Sequence, residues 1–293
     1  MIEKENVKFD ESLKLHTTYK VGGTCKYFIT PKDLEELINL VKYLKYKNIK
    51  YMILGNGSNT IFSSKEYDGV IINLTNLNSM KIEENKIFVE AGYQLIKLSM
   101  DALNNSLSGL EFAAGIPGNI GGAIFMNAGA YKSDMSELVE SVTFLDENLE
   151  LQTLRKDELE FSYRKSIFQK RNCIIISTVL NLIPGDKEEI KALMDKRKAR
   201  RLESQPLEYP SAGSVFRNPS EDIFAGKLIE DLGLKGYKIG GAKISEKHAN
   251  FIINDGDATG EDIKALIDYI KTKVKEKYNI DLHVEQRFIN FGD

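Results

Sequence analysis

Residues 115–129 read GIPGNIGGAIFMNAG: five glycines, one proline and two asparagines, set among Ile116, Ile120, Ile124, Phe125 and Met126. This segment constrains the chain more than any other. A solvated linker would not carry that apolar content. Glycine lacks a Cβ, so backbone N–H groups can approach a ligand closely and φ can turn positive. Successive N–H groups then form a concavity suited to phosphate or to an anionic cofactor edge. A shorter stretch, Leu54-Gly55-Asn56-Gly57-Ser58-Asn59, has the same character. Two such loops in one chain point to a large, flat, phosphate-bearing ligand such as a dinucleotide.

The first loop begins like GxGxxG but has Thr60 where the third glycine belongs, and Ile61-Phe62 does not open a helix. A Rossmann crevice requires strand, glycine turn and helix together, so it does not fit. Two readings of the segment stay open: a plain Asn-Gly turn, or a loop whose N–H groups and Ser58/Asn59 side chains hold a diphosphate. The second glycine loop favours the diphosphate. A branched side chain at Gly57 is then expected to weaken ligand binding by blocking backbone approach.

The chain has 293 residues, enough for two cored domains. A net charge of −3 and a pI of about 5.8 argue against nucleic acid as its main partner. The acidic start, MIEKENVKFDE, has no apolar core and is not read as a secretory signal. No apolar run approaches the roughly 18 residues of a membrane helix. Cys25 and Cys173 lack CxxC partners, so reduced thiols in a cytoplasmic protein are expected. His248 has no second ligand at metal spacing, and no metal site is expected.

Leu34, Leu37, Val41 and Leu44 recur at helical spacing, which predicts a helix over 31–47 capped at Thr30-Pro31. Strands are expected at 50–54, 69–73, 86–90 and 173–182, a helix at 94–105, and a hairpin pairing 141–145 with 151–153. Residues 187–203 form a basic helix whose Lys196–Arg201 stretch reads as a solvated face. Pro206 and the Tyr209–Gly213 break place a domain boundary after it, giving domains 1–203 and 204–293. The second domain should hold helices at 224–232 and 260–278, the latter capped by Thr259 with Asp262, and strands near 250–253 and 282–289. Strands and helices without regular βαβ alternation indicate an α+β fold.

Three stretches carry candidate chemistry. Ser214 follows Ala212-Gly213. With no GxSxG elbow, and none of His16, His248 and His283 in a triad setting, it is not a nucleophile. A proton-donating serine needs no triad, and a turn serine is the ordinary alternative. Tyr163-Arg164 lies in the aromatic-rich FSYRKSIF, where a plain surface arginine is the alternative. In a strand, Glu285 and Arg287 share one face against Val284, Gln286 and Phe288. There they could meet a ligand or simply pair.

Together these stretches resemble the UDP-N-acetylenolpyruvoylglucosamine reductase family. The motifs run in order: TYKVGG at 18–23, LGNGSN at 54–59, AGIPGNIGGAIFMNAGAY at 114–131, FSYRKSIF at 161–168, SAGSVFRNP at 211–219, ISEKHANFIIN at 244–254 and VEQRFI at 284–289. The direct passage from RRLESQP to SAGSVFRNP resembles the shorter subtype, which lacks a tyrosine-loop insertion. The resemblance implies a two-lobed PCMH-type (vanillyl-alcohol-oxidase-like) FAD-binding domain, with lobes at roughly 1–78 and 79–203, followed by a smaller α+β substrate-binding domain. It implies non-covalent FAD, NADPH as hydride donor, and UDP-N-acetylglucosamine enolpyruvate as substrate. By motif position Ser214 is the acid that protonates C2, and Arg164 and Glu285 stabilise the enol. Gly55, Asn56, Gly57, Ser58, Asn59, Gly115, Pro117, Gly118, Asn119, Gly121, Gly122 and Arg287 are implied to contact FAD, and Tyr163 and Asn218 the substrate. A cytoplasmic monomer without a nucleic-acid or membrane partner is expected. The alternatives are a sugar or lactone oxidase of the same FAD fold, and a nucleotide-binding regulator without catalysis. Several such oxidases attach flavin through a histidine near the glycine loops, and residues 50–70 and 111–131 contain none.

Overall fold

A computed structural model describes residues 3–292. The chain groups into two compact units. One comprises residues 1–9, 27–56 and 69–199, the other 10–26, 57–68 and 200–293. It passes between them within the strands Val7–Ser12, Thr24–Ile29 and Tyr67–Asn73, between Asn56 and Gly57, and within the helix Lys187–Ser204.

The first unit is built on a five-stranded antiparallel sheet in the order Leu151–Arg155, Val139–Leu145, Ile174–Asn181, Lys86–Glu90 and Met80–Glu83. One face buries Ile87, Val89, Val142, Phe144, Ile176 and Leu180. Against them pack Leu95, Leu98 and Ala102 of the helix Leu95–Asn104, and Ile120, Ala123 and Ile124 of the helix Ile120–Met126. The latter helix departs from the loop reading of 115–129. Loop remains at 115–119 and at 127–128. In the helix's first turn a Cβ on Gly121 would come 3.0 Å from Ala91 Cβ, so a small residue there permits close packing.

The helix Leu34–Tyr46 lays Leu37, Leu40, Val41 and Leu44 into the same core. Each such burial stabilises by ~1.5–3 kcal/mol. Its cap is Asp33, not Thr30. The Asp33 side chain accepts from Glu36 N at 2.8 Å, while Lys32 N donates to Glu36 Oε2 at 2.6 Å. Aspartate at the position directly before the first helical turn satisfies an orphan N–H, which moves the helix start three residues, from Pro31 to Leu34. The basic helix Lys187–Ser204 buries only Ile190 and Met194, as a solvated helix should.

The second unit carries the three-stranded sheet Lys238–Ile239, Ala242–Ile244 and Ile252–Asn254. Helix Gly260–Tyr278 contributes Ile263, Leu266, Ile267, Ile270 and Val274 to its core. The expected cap is present: Asp262 N donates to Thr259 Oγ1 at 3.0 Å, and Thr259 N to Asp262 Oδ2 at 2.9 Å. Residues 282–289 do not form one strand. Phe216 and Val284 make an antiparallel bridge, and Arg287–Ile289 then pairs in parallel with Thr60–Phe62. That second pairing, between residues more than 220 positions apart in sequence, draws 57–68 into the unit of the C-terminal segment. A single cut at 203/204 does not capture it. Among the described residues, no helix is long and apolar enough to cross a membrane.

Candidate functional site

In the first unit the two glycine stretches meet. Asn56 Nδ2 donates to Pro117 O at 2.9 Å. Asn73, buried, donates through Nδ2 to Leu54 O (2.9 Å) and Gly55 O (3.1 Å), fixing the turn that leaves strand Tyr51–Leu54. Asn119 Nδ2 donates to Gly92 O at 2.6 Å, and Leu95 N to Gly118 O at 2.8 Å. Ile120 N and Gly121 N are tied to Tyr93 O and Ala91 O. The loop is therefore held rigidly along one side. Asn119 is 5% exposed, yet its Oδ1 is buried with no hydrogen-bond partner. A Cβ on Gly55 would stand 3.5 Å from that oxygen, and one on Gly122 would meet nothing within 4 Å. A buried acceptor without a donor costs roughly 1–3 kcal/mol, so a ligand N–H or O–H that reaches Asn119 Oδ1 is favoured.

Arg164 in this unit is not a loose surface arginine. Its Nη2 donates to Gly129 O at 2.7 Å and its Nη1 lies 3.5 Å from Asn127 O. The guanidinium stacks over Tyr163, 5.1 Å from the ring centroid, and the tyrosine is half exposed. Arg164 has φ of +58°, a left-handed backbone uncommon for a side chain of this size. The turn is maintained by the mutual Ser162/Lys165 backbone bonds and by buried Asn127, whose Nδ2 donates to Ser162 O at 3.1 Å.

The second unit holds Ser58, Asn59, Ser214, Asn218, Glu285 and Arg287. Gly57 has φ of +60°, and a Cβ there would fall 2.1 Å from His16 O and 2.8 Å from Thr17 Cα. The chain's own backbone thus demands glycine at this position, with or without a ligand. Asn59 Nδ2 donates to Glu285 O (3.2 Å), and Arg287 N to Asn59 O (2.9 Å), so Asn59 organises the segment bearing Glu285 and Arg287. Ser214, partly buried, follows Gly213 at φ +72°. Glu285 N donates to Val215 O at 2.8 Å and Arg217 N to His283 O at 2.9 Å. In that register Ser214 faces Gln286. Asn250 clips the same segment: its Oδ1 accepts from Phe216 N (3.0 Å), its Nδ2 donates to Phe216 O (2.9 Å), and its carbonyl accepts from Val215 N. Asn218 Oδ1 accepts from Ala225 N at 3.2 Å, at the start of helix Ala225–Asp231.

Sequence reasoning assigned no role to Asn73, Asn127, Asn250 or Gln286, each at most 6% exposed. Their signal was faint: a polar residue inside an otherwise apolar motif, as in ANFIIN. Among the described residues no group of three or more His, Cys, Asp or Glu is placed to hold a metal ion.

The family model for the C-terminal domain of UDP-N-acetylenolpyruvoylglucosamine reductase matches residues 205–289, and an FAD binding domain model matches 25–155. The chain is 47% identical to the UDP-N-acetylenolpyruvoylglucosamine reductase of Caldanaerobacter subterraneus, over 99% of this chain and 95% of that one. It is 44% identical to the Clostridium novyi enzyme of the same name, over 99% and 94%. Among solved structures, that of UDP-N-acetylenolpyruvylglucosamine reductase from Thermus caldophilus superposes with a TM-score of 0.81 at 33% identity, covering 94% of this chain and 97% of that one. A glucose oxidase variant of Phl p 4 shares the fold of part of the chain, with a TM-score of 0.50 at 16% identity, covering 64% of this chain and 43% of that one.

Proposed function

The chain belongs to the UDP-N-acetylenolpyruvoylglucosamine reductase family, and we propose from that premise how its residues divide the work. The reaction is the NADPH-driven reduction of UDP-N-acetylglucosamine enolpyruvate to UDP-N-acetylmuramate, an FAD-dependent step of peptidoglycan precursor synthesis. When bound, FAD carries the hydride from NADPH to C3 of the enolpyruvyl group.

The cofactor fits the residues present. A buried, donorless Asn119 Oδ1 and the open space at Gly122 are what a loop shaped around a ligand should show. Gly55, Asn56, Gly57, Ser58, Asn59, Gly115, Pro117, Gly118, Asn119, Gly121, Gly122 and Arg287 are the residues that would hold FAD. Tyr163 and Asn218 would bind the substrate. Gly57 acts through the loop's shape, since its own Cβ position is filled by His16 O.

Addition of hydride at C3 leaves negative charge spread from C2 into the substrate carboxylate. Arg164, with its planar multi-donor guanidinium, meets that charge. The Ser214 hydroxyl delivers a proton to C2, and Glu285 supports the enol form by hydrogen bonding. The observation that carries this reading is local. Ser214 and Glu285, 71 positions apart in sequence, are locked on adjacent segments by the Glu285 N to Val215 O bond. The enzyme works as a monomer in the cytoplasm, where NADPH and the UDP-linked substrate occur. Its product feeds cell wall biogenesis, and through it cell shape and division.

The test is the absorption spectrum of purified protein before and after anaerobic NADPH, followed by addition of the enolpyruvyl substrate. A flavin spectrum should bleach with NADPH and recover with the substrate. A colourless protein that FAD cannot reconstitute would overturn the reading.

A further inference from the structure

Gln286 stands beside Glu285 in the chain and faces Ser214 across the register described above, yet the reaction as written gives it nothing to do. Its side chain is 4% exposed and fully engaged. Nε2 donates to Ala212 O at 3.0 Å, with Gly213 O at 3.4 Å and Ser214 O at 3.5 Å. Its Oε1 accepts from the Tyr19 hydroxyl at 3.0 Å. Tyr19 is wholly buried, and Asn254 Nδ2 donates to its carbonyl at 3.0 Å. Every atom of this arrangement lies within the second unit.

Three consecutive carbonyls converge on one amide. An extended strand cannot do this, since its successive carbonyls point to opposite sides. Here the left-handed Gly213 turns the chain. A Cβ on Gly213 would meet nothing within 4 Å, so glycine is required for its φ rather than for space. A primary amide offers two N–H donors and one acceptor oxygen, and the Tyr19 hydroxyl decides which end faces the carbonyls. Burial pushes the Tyr19 phenol far above its ordinary value, so it remains a donor throughout the working pH range.

We propose that Gln286, oriented by Tyr19, is a positioning residue that fixes the Ala212–Ser214 turn and thereby aims the Ser214 hydroxyl while holding it in register with Glu285. The proposal rests on Ser214 being the proton donor. Small misplacements of a reacting group cost about 10²-fold in rate. A loosened turn should therefore slow substrate reduction and leave reduction of bound FAD by NADPH alone.

Four variants of the holoenzyme test this: Gln286→Leu, Gln286→Glu, Tyr19→Phe and Ser214→Ala. Each half-reaction is followed separately by stopped flow. Gln286→Leu should slow reoxidation of the reduced flavin by the enolpyruvyl substrate about 10- to 100-fold at every pH, chiefly in kcat rather than KM. NADPH reduction should stay near wild type. Gln286→Glu should be impaired when ionised, because a carboxylate then faces three carbonyls, and should recover as pH falls and the buried acid regains a proton to donate. That pH-dependent rescue separates positioning from general damage. Tyr19→Phe, which removes one hydroxyl only, should give a smaller loss of the same kind and covers the case in which Gln286→Leu fails to fold. Amide hydrogen exchange at Glu285, whose N–H is bonded to Val215 O, should quicken in Gln286→Leu and Tyr19→Phe without any turnover being measured. Normal substrate reduction in both Gln286→Leu and Tyr19→Phe, beside a slow Ser214→Ala, overturns the positioning role alone. Normal substrate reduction in Ser214→Ala overturns the assignment of Ser214 on which it stands. Equal slowing of both half-reactions, without pH rescue, shows Gln286 to be merely structural.

Discussion

Ser214 is held by backbone on both sides: Gly213 turns left-handed before it, and Val215 bonds to Asn250 and Glu285 after it. Ser214→Ala should therefore leave the local fold intact and remove only a hydroxyl. We expect NADPH to reduce the bound flavin at a near-normal rate while substrate turnover falls about 10²–10⁴-fold, the usual worth of a general acid. Parallel slowing of both steps would make the serine structural. Arg164→Ala should raise the substrate KM as well as lower kcat, because the side chain is assigned to charge present in the substrate and enhanced during reaction. Glu285→Gln should spare KM more. The glycines divide in a way their sequence does not disclose. Gly57→Val, which by composition alone looks like a test of cofactor approach, would drive a Cβ into His16 O. It should report misfolding. Gly122 is the informative position. A methyl group there meets no protein atom within 4 Å, and Gly→Ala inside a helix is worth roughly 1 kcal/mol. Gly122→Ala should raise the melting temperature of the apoprotein and weaken FAD binding, read by fluorescence titration. Undiminished FAD affinity would remove Gly122 from the cradle.

At the scale of elements, the long C-terminal helix shows how far local signals reach. Thr259, Asp262 and the 3.6-residue recurrence of Ile263, Leu266, Ile267, Ile270 and Val274 fix its start and its buried face with no tertiary information. Thr259→Ala should cost about 1 kcal/mol, measured as a fall in urea midpoint at unchanged slope. A cost near zero would mean that burial of the apolar face alone sets the helix start. The helix Leu34–Tyr46 is the contrasting case. Thr30-Pro31 carries the sequence marks of a start, but Asp33 caps because its carboxylate reaches Glu36 N. The segment 282–289 has the alternation of one strand and instead serves two partners in opposite senses. Alternation records which side chains point inward. It carries no record of the partner strand.

At the scale of the molecule, the two cores are separate clusters: one under the five-stranded sheet, the other around helix Gly260–Tyr278. A ligand that binds only the folded chain stabilises it by mass action. FAD added at 100 times its Kd should contribute about 2.7 kcal/mol to stability, and the melting temperature should rise with FAD concentration. A melting temperature indifferent to added FAD, in protein stripped of flavin, would contradict cofactor binding by the native state.

Two glycine-rich stretches, legible without any structure, point to a phosphate-bearing dinucleotide. The α+β character, the helices with their buried faces and the order of motifs that carries the family are equally legible in the sequence. Each of these is written in neighbouring residues, where propensity, capping and periodicity act. Tertiary structure decided what depends on groups far apart in the chain. Asn119 is held through Nδ2 by Gly92 O, 27 positions earlier, while its buried Oδ1 meets no donor. Gly57 is demanded by His16, 41 positions earlier. Residues 57–68 join the second unit by pairing with 287–289. Gln286, unremarkable in VEQRFI, gathers three carbonyls at 212–214 and the Tyr19 hydroxyl, because folding alone brings those groups within hydrogen-bond reach.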